Sequence, residues 1–160
     1  MSAAGGANTI GEQRRKRRSR AVWLAALLLF TIALTFASLT PVRHSSALGA
    51  TPMSRLINNL LHAPAYGMLA WLCSAALLAW RRRAAAIFAA WFGGVAATAY
   101  GALMEVAQRG VPGRYAAIED VLFNVIGAAA ATLMLIRSAR RREQAADKEE
   151  AESAASGGRV

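Results

Sequence analysis

The sequence predicts an all-α fold, a polytopic membrane protein built as a bundle of four transmembrane helices. More than half of the 160 residues are hydrophobic, and they fall in long runs. The charged residues lie in clusters between those runs. A water-soluble domain of this size disperses its charges over its surface, so the segregation points to a chain that crosses a bilayer.

The first run, residues 21–40, holds no charged residue. As a helix it rises about 30 Å, enough to cross the hydrocarbon core. Pro41 then stops it. The basic leader suits a signal peptide as well. The apolar run is long for one, however, and the site around Ala37 and Leu39 is a poor match to a cleavage site, so an uncleaved anchor is expected.

The second run covers residues 63–80. Thr51-Pro52 reads as a helix start, with Thr as N-cap and Pro at the first helical position. Pro64 is expected to kink the helix or restart it. The third run covers residues 84–104. The fourth extends from about 115 to 136 and is the most polar, with Glu119, Asp120 and Asn124 in its first turns. The chain thus divides into a basic segment (1–20), a four-helix membrane domain (21–137) and a charged tail (138–160). The tail is expected to continue as helix for a few turns and then fray into partial disorder.

Lys and Arg set the expected orientation. Arg14, Arg15, Lys16, Arg17, Arg18 and Arg20 precede span one, Arg81, Arg82 and Arg83 join spans two and three, and Arg137, Arg140, Arg141 and Arg142 follow span four. Four crossings put all of them on one side. The other side receives only Arg43, Arg55, Arg109 and Arg114. Positive residues stay inside, so both termini are expected in the cytoplasm. The net charge of +10 is assigned to orientation and anionic lipid rather than nucleic acid, because no base-stacking or zinc motif accompanies it. Cys73, the lone cysteine, excludes an intrachain disulfide and reads as a packing residue.

The notable polar residues share one membrane level. His62 and Tyr66 sit one turn apart on helix two, Glu105 and Gln108 close helix three, and Asp120 and Asn124 open helix four. Arg114 lies in the connecting loop. Below these residues run stripes of small ones, Gly94, Thr98 and Gly101 on helix three and Gly127 and Ala131 on helix four. Such stripes let helices approach closely, so Gly94, Gly101 and Gly127 are expected to pack helices and turn the polar side chains into the bundle. Plainer readings exist. His62 and Tyr66 suit interfacial anchors, Glu119 and Asp120 suit a helix N-terminus, and Arg114 suits a lipid phosphate. Glu105 and Asn124 on bundle-facing stripes favour a pocket. Helix three climbs about 32 Å to Glu105, so Glu105, Arg114 and Asp120 are expected to form one charged cluster, with His62, Gln108 and Asn124 completing its wall.

The order Glu105-Val106-Ala107-Gln108, Val111-Pro112-Gly113-Arg114, Asp120-x-x-x-Asn124-x-x-Gly127, preceded by His62-x-x-x-Tyr66, resembles the VanZ-like family. The similarity covers about residues 50–136. It implies a small four-helix bacterial membrane protein of the plasma membrane, from a family linked with resistance to teicoplanin, a glycopeptide that binds cell-wall precursors. The chain departs from the family in one place. Asn58-Asn59 stands where an Asp-Lys pair is common, which removes an acid and a base from the entrance.

Two functions are weighed first. One is a binding or modulating protein whose partner is a membrane lipid or a lipid-linked cell-wall precursor, held by Arg114, Gln108, Asn124, Glu105 and Asp120. The other is an enzyme in which His62 with Glu105 or Asp120 supplies acid–base chemistry. No serine or cysteine is placed as a nucleophile. No cofactor or metal is expected, a two-carboxylate metal site being sparse. A transporter needs polar residues through the membrane, and the deeper layers are mostly Ala, Leu, Val and Gly. A structural subunit without ligand is the fourth reading. The oligomeric state is left open.

Overall fold

The computed structural model describes residues 3–40, 52–81, 85–112 and 118–157. Among them the chain is all-helical, in the order α1 (Ala3–Leu39), α2 (Pro52–Trp80), α3 (Ala86–Gln108) and α4 (Ile118–Gly157). All four are long and apolar enough to cross a membrane.

The membrane runs set the middle of each helix, and the flanks extend further than the hydropathy suggests. α1 runs back through the basic segment, where good helix formers dominate and Lys16 pairs with Glu12 one turn away. It ends at Leu39, because the residue before a proline is disfavoured in the α region. α2 passes through Pro64 without restarting. α3 continues past Met104 to Gln108, so Glu105 and Gln108 belong to its last turn. It then unwinds through tight turns, with the Gly110 and Val111 amides donating to the carbonyls of Ala107 and Gln108. α4 opens at Ile118 with Glu119 and Asp120 in its first turn. It runs unbroken through the Arg, Glu and Ala-rich tail to Gly157, well beyond the few turns expected. Strong intrinsic helix propensity carries it.

Successive helices run antiparallel. α2, α3 and α4 all pack on one another, while α1 lies against α2 and, more lightly, α3; within the described residues it does not touch α4. α1 is the least buried span. Glycines allow the close crossings. A side chain at Gly127 of α4 would strike the Ala63 carbonyl of α2, and one at Gly93 of α3 would strike Ala70 and Ser74 of α2. Gly94 of α3 meets Thr132 of α4 in the same way. Thr132 Oγ1 donates within α4 to the Ala128 carbonyl at 2.8 Å and lies 3.4 Å from the Ala90 carbonyl of α3.

The exterior is apolar in a way no soluble protein tolerates. Leu28, Leu29, Ile32, Phe36, Val95, Ile126 and Met134 are all well exposed. Trp23, Trp80 and Trp91 lie toward the end that carries the basic residues, the level at which indoles anchor membrane helices. There Arg20 Nε donates to the Ala79 carbonyl at 3.1 Å and its guanidinium sits over the Trp80 ring, which ties α1 to the C-terminus of α2.

Candidate functional site

At the other end of the bundle the polar residues come together. α2 contributes His62 and Tyr66, α3 Glu105 and Gln108, and α4 Asp120 and Asn124. Tyr66, Glu105, Gln108, Asp120 and Asn124 are buried, and Asn124 is only 1% exposed. The register follows from helix lengths. α3 must climb its whole span before Glu105, and α4 presents Asp120 and Asn124 one turn apart as it starts back.

His62 Nδ1 and Asn124 Oδ1 are 2.9 Å apart, which joins α2 to α4. An amide oxygen only accepts, so in this bond the imidazole Nδ1–H is the donor. The His62 ring lies nearly parallel to that of Tyr66, with centroids 6.1 Å apart. Tyr66 in turn faces Tyr100 of α3 at 6.3 Å. The carboxyls of Glu105 and Asp120 are close enough to act electrostatically on the Tyr66 phenol. Gln108 Nε2 donates to the Ser38 carbonyl at 3.2 Å, so the end of α1 is fastened to the same level.

Gly101 makes room for this layer. A side chain there would come within 2.9 Å of Tyr66 Cε1 and 3.0 Å of Asn124 Nδ2. Within the described residues Asn124 Nδ2 makes no hydrogen bond. A buried donor without a partner costs on the order of 1–3 kcal/mol. No three His, Cys, Asp or Glu side chains converge as a metal set among the described residues. Arg114, and with it the ion pair expected with Glu105 or Asp120, lies outside the described residues, as do the side chains of Asn58 and Asn59.

Three participants were not singled out from sequence. Ser38 enters through its backbone, which carries no sequence signal. Tyr100 and Thr35 lie in the middle of apolar runs. Their hydroxyl oxygens are 2.6 Å apart and join α1 to α3 one to two turns below Glu105. A lone Tyr and a lone Thr inside spans are the signals that mark such a pair.

The family model described as VanZ/LLP1 matches residues 6–139. The chain belongs to the VanZ/LLP1 family. The resemblance carried by the order of the Glu105, Asp120, Asn124 and Gly127 motifs is therefore confirmed, over a match that includes all of residues 21–137. No curated protein and no solved structure matches the chain. All seven residues expected to line a pocket in this VanZ/LLP1 protein fall inside the matched segment, including Arg114.

Proposed function

We propose that this VanZ/LLP1 protein binds the polar head of an envelope lipid or lipid-linked cell-wall precursor at the end of the bundle where α3 gives way to α4. In this reading both termini are cytoplasmic and the site faces the outer side of the bacterial plasma membrane. One observation carries it. Five polar side chains from three helices are buried at one membrane level, around an Asn124 whose Nδ2 is unsatisfied among the described residues. Polar groups at such depth are costly, and their concentration at one level is the usual mark of a ligand path. Carboxylates and amides suit the hydroxyl and amide groups of a headgroup, and Arg114 is the proposed partner of its anionic part. A role in glycopeptide resistance of the teicoplanin type follows if the bound head belongs to the antibiotic's own target.

Mass spectrometry of lipids co-purified with wild type, Glu105→Gln and Arg114→Ala tests the reading. A lipid class enriched on wild type and lost from both variants, at equal folded yield, supports it. Identical lipid profiles in all three refute it.

One observation favours a second reading, acid–base chemistry on a lipid-linked substrate. The His62–Asn124 bond fixes an imidazole at the level of the buried Glu105 and Asp120. Turnover of such a substrate by wild type, abolished in His62→Ala, is the outcome that would select it.

A further inference from the structure

The basic end of the bundle holds a second arrangement of charge, far from the polar layer. Arg20 of α1 is half-buried, and its Nε donates to the Ala79 carbonyl of α2 at 3.1 Å. Its guanidinium sits 5.9 Å from the centre of the Trp80 ring. The bond to Ala79 uses Nε and leaves the two terminal nitrogens to act as a fork. Arg81 follows Trp80 directly and is exposed where α2 ends, its backbone amide donating to the Leu77 carbonyl. Two arginines from two helices thus stand at one indole. Among the described residues neither is in an ion pair. Like charges at one point repel, and an anion between them turns that repulsion into attraction.

Trp80 belongs to a second feature as well. With Leu77 and Cys73 of α2, Leu24 and Leu27 of α1 and Phe92 of α3 it lines an apolar groove. Cys73 lies about two helical turns, or roughly 10 Å, deeper than Trp80. The groove therefore starts at the indole beside the cations and leads into the hydrocarbon.

The pairing of the two features selects the occupant. A soluble anion or an acidic protein segment meets the cations but makes no use of an apolar groove. A zwitterionic lipid fills the groove but brings a further positive charge to Arg20 and Arg81. A phospholipid with a net negative head satisfies both halves at once.

We infer that an anionic phospholipid binds where α1 meets the C-terminal end of α2. Its phosphate lies between Arg20 and Arg81, and one acyl chain follows Trp80, Leu77 and Cys73. The site is at the opposite end of the bundle from Asn124 and stands whether or not a headgroup binds there.

The test is native mass spectrometry of the full chain released from nanodiscs of phosphatidylglycerol and phosphatidylethanolamine in equal parts. Wild type is expected to retain phosphatidylglycerol about tenfold over phosphatidylethanolamine. Arg20→Gln and Arg81→Gln should each lower the retained phosphatidylglycerol about fivefold, the effect of one interfacial cation. Arg81 is exposed, so its variant decides the question even if Arg20→Gln loosens α1. Arg141→Gln removes one charge from the same end, but on α4, which does not touch α1 among the described residues. It should change retention by less than about twofold. Millimolar glycerol phosphate, a phosphate head without chains, should fail to displace the lipid. Glu105→Gln should leave retention unchanged, which separates this site from the polar layer. Four results overturn the inference. They are equal retention of the two lipids, an equal loss from Arg141→Gln, displacement by glycerol phosphate, or a loss in Glu105→Gln that Arg81→Gln does not share.

Discussion

At the scale of single residues the polar layer depends on a glycine. Gly101 allows Tyr66 and Asn124 to lie against α3, and a leucine there would displace both. Gly101→Leu is expected to destabilise the bundle by about 1–3 kcal/mol, the usual cost of overpacking. Ala102→Leu, about 100° round the helix and exposed, should change stability by less than about 0.5 kcal/mol. Thermal unfolding in detergent compares them, and equal losses would mean that the wrong face of α3 has been assigned to the bundle. The His62–Asn124 bond is a second residue-scale feature. Hydrogen bonds between membrane helices are worth about 0.6 kcal/mol and rarely above about 1.7. A double-mutant cycle of His62→Ala and Asn124→Leu should return a coupling in that range. A coupling indistinguishable from zero would show that the contact contributes no stability.

At the scale of elements α1 stands apart. It leans on α2 and α3, misses α4 among the described residues, and leaves most of its surface to lipid. Specific contacts fix its height. Arg20 meets Ala79 and Trp80 at one end, Trp23 stacks edge-on against Trp71 at 5.2 Å, Thr35 meets Tyr100, and Gln108 binds the Ser38 carbonyl. Apolar packing alone discriminates poorly between a helix and lipid tails, so these contacts hold the register. Thr35→Val combined with Tyr100→Phe should loosen α1 while α2, α3 and α4 stay together. Hydrogen exchange is expected to rise in residues 31–39 with little change in α3 or α4. A uniform rise through all four helices would instead mean that α1 unfolds with the core.

At the scale of the whole molecule the helices arrange two unlike ends. The basic residues of α1, Arg81 and the basic run of α4 share one end, and the buried acids and amides share the other. The proposed orientation, with the basic end in the cytoplasm, rests on the positive-inside tendency. In a Cys73→Ser background, a membrane-impermeant thiol reagent should label Cys introduced at Ser46 or Gly110 in intact cells and miss Cys at Arg82. Labelling of the Arg82 position alone would invert the molecule and move the polar layer to the cytoplasmic side.

Hydropathy alone determined that four helices cross, because an unbroken apolar run leaves the backbone no other way to satisfy its hydrogen bonds in lipid. Sequence also determined the common level of Tyr66, Glu105, Gln108, Asp120 and Asn124, since a rise of about 1.5 Å per residue converts position into depth. Motif order determined the family. The stripes of Gly94, Gly101 and Gly127 marked the inward faces of α3 and α4, but depth and stripes do not fix which helix meets which, and that came only from tertiary structure. Three-way packing of α2, α3 and α4 brought His62 against Asn124 and left α1 at the rim. Gly93 gained its role only when the α2 backbone came near. The groove beside Trp80 exists in no helix by itself, because it is the space left where surfaces of α1, α2 and α3 meet. The physical reason is the same in each case: covalent spacing sets height along a helix, whereas the partner of each face is chosen by the mutual fit of all the helices at once.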